Sequence, residues 1–487
     1  MPTLGYLLNT AIESKNINKR MLCERLGISR SLLYRYLSGK AIPSIEMLRK
    51  ISLELMLTPS EIEMIEEAHE IAGVGVDRYQ SRMLIEHFLK NPVRGQAPYF
   101  FDPQAYSVFI QSLQLKNAAA LKGKDQVRMA LRYMMDSAMR QGGESIYMLA
   151  QPNNEPVMSE VSRLLGMADN TCEIYHLYKL CQNKTLNIET PLAYNVEVQR
   201  NALYCSFPLS AENKGYYPAY FYDSSLTQFK STIYQHISIA AKNHAIVISD
   251  SNDTGVFFSD PEITGILRDS MAQLHQNSTP LIKRDIDLAR MPEAQIAKIC
   301  CNAELSIAPQ PMPIFARARI HLEKSTHNEA DAVKAVGRMI HRCEEELKNG
   351  LGMVSLFTME GLNEFAATGQ LSISAEEKIP PLDIQRRLDY LKSIYGYALR
   401  YPSVSLHIVN SIAAPYLQNY SLFLYKDTEL RLAPGRESLD GVYTVSEKSI
   451  VKSASDYFFN IFTAEPGVLS KADTMQIMKN TIESLNV

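Results

Sequence analysis

Between Thr3 and Gly73 four or five short amphipathic helices follow one another with loops of only a few residues. A chain punctuated this closely has room for helix-on-helix packing and little else, so the segment is read as a compact all-helical unit. Thr3 can cap a first helix carrying Leu4, Leu7, Leu8 and Ile12, and Asn18 can cap a second over Lys19 to Leu26. Gly27 ends that helix, where a sharp left-handed turn would strain any residue with a Cβ. Ser29 then caps a third helix running to about Leu37. The spacing of Leu22, Leu26, Ile28, Leu33 and Tyr36 lets the second and third helices pack on each other. The pattern is helix, glycine turn, helix.

These residues resemble the Xre or Cro-like DNA-binding domains of bacterial and phage repressors, over roughly Leu4 to Glu67. The likeness rests on Glu24-Arg25-Leu26-Gly27-Ile28-Ser29, Ser38-Gly39-Lys40, Pro43-Ser44, and a fourth helix with Met47, Leu48 and Ile51 on its apolar side. Cys23 stands where the family usually has Ala, a harmless change because Cys is small. Tyr36 stands where it usually has Ile or Val, and asks for a reshaped core. The resemblance implies that the third helix enters the major groove with its N-terminal residues at the base edges. Those residues are Ser29, Arg30, Ser31, Tyr34 and Arg35, and either arginine can make a bidentate contact to guanine. Lys19, Arg20 and Lys40, at helix starts and in the following loop, are placed for phosphates.

Charge supports the same partner independently. Residues 1–50 hold nine basic side chains (Lys15, Lys19, Arg20, Arg25, Arg30, Arg35, Lys40, Arg49, Lys50) against three acidic ones (Glu13, Glu24, Glu46), whereas residues 51–70 hold six Glu and no Lys or Arg. Such a module attracts phosphate on one side and repels it on the other. Arg25, facing away from the groove in this geometry, is expected to be an ion-pair partner instead.

The whole chain has 50 Lys plus Arg against 53 Asp plus Glu, a net charge of −3, which excludes coating of nucleic acid or membrane by bulk charge. Its 487 residues, 46% hydrophobic and 21% charged, suit about three domains. No run reaches the roughly 18 apolar residues of a membrane span, and no signal-peptide pattern opens the chain, so a cytoplasmic protein without membrane contact is expected. Seven scattered cysteines, with no C-x-x-C pair, indicate reduced thiols.

Four parts are expected: residues 1–74 as the helix-turn-helix domain, 75–120 as a helical connector, and 121–300 and 301–487 as two α/β halves. In the last two, helical segments alternate with β-branched or aromatic runs at 145–149, 245–249, 353–357 and 404–409. Asp125–Arg132 aligns with Asp331–Arg338, each leading to a strand, at Ser145 and Met353. Gly255-Val256-Phe257 and Gly441-Val442-Tyr443 each precede a helix. The fold class expected is therefore multidomain, an all-α domain followed by a larger α/β region built by internal duplication. The stretch Val247 to Asn252 faintly resembles the end of a phospholipase D-like half-domain. That family's His-x-Lys is absent from the chain, so its hydrolytic chemistry is not implied.

No Walker loop, G-x-G-x-x-G, G-x-S-x-G or H-E-x-x-H occurs. His321, His327, His341 and Cys343 lack a ligand spacing, and Cys300-Cys301 has no positive neighbour, so no metal, cofactor or reactive thiol is expected. Tyr216 to Tyr222 either lines a ligand pocket through Tyr217, Tyr220 and Tyr222 or is a half-buried strand with rings on alternate faces. The function expected is a sequence-specific transcriptional regulator rather than an enzyme, a repressor by family analogy. It would bind double-stranded operator DNA with inverted half-sites as a homodimer, under an unidentified small-molecule or peptide effector. The alternative is an enzyme or protein-binding module carrying an accessory helix-turn-helix.

Overall fold

The computed structural model describes residues 2–90, 99–140, 142, 144–167, 171–182, 189–206, 215–222, 237–285, 303–311, 338, 341, 344–350, 352–370, 381–410, 420–425, 428–434, 442–464 and 467–486. The chain forms two compact units. One comprises Met1–Met83 with Ile188–Tyr194, the other Leu84–Asn187 with Asn195–Val487.

The first unit contains α1 (Leu4–Ser14), α2 (Lys19–Leu26), α3 (Arg30–Leu37), α4 (Ile45–Glu54), α5 (Pro59–Val74) and the greater part of α6 (Val76–Lys90). Thr3, Asn18, Ser29, Ser44 and Thr58 cap the first five, each accepting from a free amide of the first turn. Thr58 completes a capping box with Glu61. At the other ends the chain turns through left-handed residues: Asn16 (φ 54°), Gly27 (66°), Gly39 (69°) and Met56 (47°). Leu4, Leu8, Ile12, Leu22, Leu26, Leu33, Leu48, Ile51, Leu55 and Ile65 form one buried core. Tyr36 is buried as well. The crossing of α1 over the end of α3 is unusually close, because a Cβ on Gly5 would lie 2.4 Å from the Leu37 carbonyl oxygen. Glu70 and Arg82 form an ion pair at 2.9 Å. Asp77 accepts from the amides of Leu192 and Ala193, at 3.1 and 2.7 Å, in the first turn of α10 (Pro191–Ser206).

The second unit holds two mixed sheets. The first is built from β1 (Ala118–Lys122), β2 (Ser145–Leu149), β3 (Glu173–Leu180), β4 (Tyr216–Tyr222), β5 (Ile237–Ala240), β6 (Ala245–Ile248), β7 (Thr254–Phe258) and β8 (Thr279–Pro280), in the order β1-β7-β6-β5-β2-β3-β4-β8. The second uses β9 (Ile282–Asp285), β10 (Ala303–Ile307), β11 (Met353–Thr358), β12 (Val404–Val409), β13 (Tyr420–Tyr425), β14 (Glu429–Pro434) and β15 (Val442–Val445), in the order β9-β15-β14-β13-β10-β11-β12. In the first sheet β2, β3 and β4 run parallel, and in the second β10, β11 and β12 do; the remaining pairs are antiparallel. The first sheet buries Ile146, Met148, Ile174 and Ile239 against α8 (Lys124–Arg140) and α9 (Glu155–Leu165). Its opposite face buries Leu149, Leu177 and Ala219 against α11 (Pro261–Gln276). In the second sheet Met353, Leu406 and Ile408 share a core with α12 (Met359–Thr368), α13 (Ile384–Arg400) and α15 (Lys471–Leu485). Helix α14 (Lys448–Asn460) follows β15 as α11 follows β7.

Strand order corrects one sequence alignment. β2, starting at Ser145, occupies the place that β10 holds in the second sheet, whereas Met353 opens β11, the position of β3. Both β2 and β11 follow a helix and a glycine turn, and that local likeness pairs them wrongly. Residues 331–337 of the aligned pair lie outside the described residues.

His176 on β3 is fully buried, with Nδ1 2.6 Å from the Tyr216 hydroxyl and Nε2 2.8 Å from the Ala150 carbonyl. A carbonyl can only accept, so Nε2 carries the proton and Nδ1 accepts from Tyr216. Burial pushes this imidazole down to about 4, the Ala150 carbonyl pulling weakly the other way.

Two outcomes follow from this packing. Gly5→Ala is expected to cost about 1–3 kcal/mol by overpacking against a carbonyl that belongs to helical backbone, measured by denaturant unfolding of the first unit's transition. For His176 the neutral form is favoured on folding, so its stabilisation is complete above the ordinary histidine pKa of about 6.5 and is lost as pH falls toward 4. The loss is about 3 kcal/mol in all. Melting temperature followed across that window is expected to drop, and to drop less in His176→Gln.

Candidate nucleic-acid interface

Helix α3 carries its buried residues Leu33 and Tyr36 on one side. At 100° per residue, Arg30, Ser31, Tyr34 and Arg35 fall on one contiguous arc on the other side. All four are exposed, as is Ser29, whose hydroxyl accepts from the Leu32 amide at 3.2 Å. The arc presents two guanidinium forks, two hydroxyls and a phenol ring 56% exposed, a set able to donate to base edges and to cover an apolar methyl.

The flanking cations differ in their ties. Lys19 Nζ donates to Asn9 Oδ1 at 2.9 Å and stands 5.9 Å from the Tyr34 ring centroid, so the start of α2 reaches this arc. Arg20 pairs with Glu24 at 3.1 Å on the surface. Lys40 is exposed, its amide donating to the Arg35 carbonyl at 2.9 Å, which fixes the loop after α3. Arg25 pairs with Glu54 at 3.5 Å, away from this set.

In the second unit the tyrosines of β4 divide between the two faces of the sheet. Tyr217 stacks on Tyr175 at 5.0 Å, which stacks on Tyr147 at 4.8 Å, and its hydroxyl lies 3.5 Å from Glu173. Tyr220 and Tyr222 sit on the opposite face, their ring centroids 5.7 Å apart, so the three do not line one pocket. Tyr222 donates at 2.7 Å to Glu447, a residue that the sequence reading missed.

Glu447 is buried at the N-terminus of α14. It accepts there from the Ser449 and Ile450 amides, the Ser449 hydroxyl, Tyr222 and the Gln199 amide of α10 at 2.8 Å. Asn195, also on α10, donates to the Ser449 hydroxyl at 3.2 Å. Burial and this carboxylate push the Tyr220 hydroxyl up to about 12 and hold the Tyr222 proton in place. Among the described residues, Gln199 Oε1 and the Tyr178 hydroxyl have no hydrogen-bond partner, and both are buried. The only sequence signal for the cluster was Glu447 standing two residues before Ser449 at a helix start.

Among the described residues no group of three or more His, Cys, Asp or Glu is placed to hold a metal, and no helix is long and apolar enough to cross a membrane. Cys23, Cys172, Cys181 and Cys205 are buried free thiols. His321, His327, Cys343 and the Cys300-Cys301 pair lie outside the described residues.

Residues 8–62 match the family model described as Helix-turn-helix. No curated protein matches the chain. Among solved structures it is similar to TrmBL2, an archaeal chromatin protein whose structure shows a novel mode of DNA binding. The identity is 9%, the match covers 54% of this chain and 100% of that one, and the TM-score is 0.20. It is also similar to polyphosphate kinase from Porphyromonas gingivalis, at 9% identity over 80% of this chain and 59% of that one, with a TM-score of 0.23. Caps, glycine turn, buried spacing and family match agree: the N-terminal part of this chain is an Xre/Cro-like helix-turn-helix domain.

Proposed function

We propose that this chain is a sequence-specific DNA-binding transcriptional regulator, a repressor, and that α3 reads the major groove through Ser29, Arg30, Ser31, Tyr34 and Arg35. The observation that carries this reading is the exposed arc of α3, left free by the burial of Leu33 and Tyr36 within a helix-turn-helix domain. Lys19, Arg20 and Lys40 serve the phosphates. One such domain delivers few base contacts, so two copies act as a homodimer on inverted half-sites about one helical turn apart.

The two sheets of the second unit are copies of one ancestral half. The shared strand order and the same run of three parallel strands support this. This unit serves as the sensing region, and the reading gives it no catalytic step. An effector, small molecule or peptide, acts by binding one arrangement of the halves better than another. Tyr220 and Tyr222, beside Glu447, are the ligand-facing candidates, while Tyr217 belongs to a separate face.

The test is selection of bound sequences from random duplex DNA by the full chain. Enrichment of an inverted repeat is expected, and enrichment of nothing overturns the reading. On the selected duplex, Arg30→Ala and Arg35→Ala are each expected to lose about 1–3 kcal/mol of discrimination at one base pair. Lys40→Ala is expected to weaken all sequences alike and to lower the salt slope by about one. Unchanged base preference in Arg35→Ala would displace α3 from the groove.

A further inference from the structure

Tyr178 of β3 and Tyr220 and Tyr222 of β4 share one face of the first sheet, with Tyr178 in register with Tyr220 and Leu180 with Tyr222. They stand at the carboxyl ends of two parallel strands, the end at which α/β sheets take ligands. The rings of Tyr178 and Tyr220 are 6.4 Å apart between centroids, and those of Tyr220 and Tyr222 are 5.7 Å apart. Glu447 joins this group through the Tyr222 hydroxyl at 2.7 Å, and Gln199 joins it through Glu447 at 2.8 Å.

The hydrogen bonding of the group is one-sided. A carboxylate only accepts, so the amide nitrogen of Gln199 faces Glu447 and Oε1 is turned away as a committed acceptor. Among the described residues nothing donates to that oxygen, and the Tyr178 hydroxyl has no partner either, although Gln199 is 0% exposed and Tyr178 1%. The Tyr178 hydroxyl lies in the field of the same carboxylate, which together with burial holds its proton in place.

The charge is one-sided as well. All five donors to Glu447 are neutral, and among the described residues no Lys, Arg or His pairs with it. The N-terminus of α14 offsets roughly half a unit of charge. The remainder is a negative charge in the interior without a counter-ion, which is costly. Two idle oxygens, an unbalanced carboxylate and the electron-rich faces of three rings are complements of one kind of group, a cation with N–H donors. Water or a neutral hydroxyl compound meets the two oxygens and leaves the charge as it was.

We propose that the carboxyl ends of β3 and β4, beside Gln199 and Glu447, bind the ammonium group of a small aliphatic amine, which donates to Gln199 Oε1 and to the Tyr178 oxygen and balances Glu447. The proposal rests on the reading of this unit as the sensing region and names the chemical class of its effector.

The experiment uses the full chain and needs no DNA. Melting temperature and binding heat are measured with n-butylammonium chloride, and with n-butanol plus sodium chloride, a pair alike in shape and different in the charge of the probe. Butylammonium is expected to bind and to raise the melting temperature, and butanol to do neither. Tyr178→Phe removes a hydroxyl that has no partner, so without amine it is expected to melt no lower than the unsubstituted chain, while binding butylammonium about ten-fold more weakly. Tyr217→Phe, on the other face of the sheet, is expected to bind it unchanged. Equal binding of butanol overturns the proposal, as does butylammonium binding that Tyr178→Phe leaves intact. Binding of neither probe at millimolar concentration also overturns it and assigns the two oxygens to water. A chain that binds the amine and selects no operator loses the regulator reading and keeps this site; one that selects an operator and binds no amine loses this site alone.

Discussion

The rotation of α3 is set by where Leu33 and Tyr36 are buried, and the rest of the interface depends on that rotation. Both side chains are buried, Leu33 in the core shared with α1 and α2, and half-buried Leu37 lies beside Leu33 on the same side. The α1 backbone comes close enough to hold them only because Gly5 offers no Cβ to the Leu37 carbonyl. Once these positions are inside, the 3.6-residue repeat leaves Arg30, Ser31, Tyr34 and Arg35 outside with no further choice. The exposed arc is thus a consequence of packing, and Ser29 and Gly27 serve it by fixing where the helix begins.

Local determinants were legible in the sequence. Thr3, Asn18 and Ser29 cap the helices they were assigned to, and Gly27 takes the left-handed turn, because a cap and its amide lie within three residues. The face of its helix marks Arg25 as an ion-pair partner, while Glu54, 29 residues on, is identified only by the fold. The division of the β4 tyrosines was present as parity, 217 odd against 220 and 222 even, and period-two alternation places them on opposite faces. Glu447 was not legible, since Tyr222 and Gln199 lie 225 and 248 residues away and no local pattern records such a meeting. The alignment of Ser145 with Met353 failed for the related reason that strand neighbours are chosen by the sheet, not by the preceding turn.

The Glu447 cluster shows what such non-local contacts accomplish. A carboxylate removed from water is costly unless its lone pairs are met, and here five donors meet them: two backbone amides, two hydroxyls and one side-chain amide. Three of these donors come from the start of α14, while Gln199 comes from α10 and Tyr222 from β4. One buried charge therefore ties β4 and α10 to the start of α14. The arrangement is not fully satisfied, as Gln199 Oε1 and the Tyr178 hydroxyl show. A buried polar atom left unmet in this way costs stability.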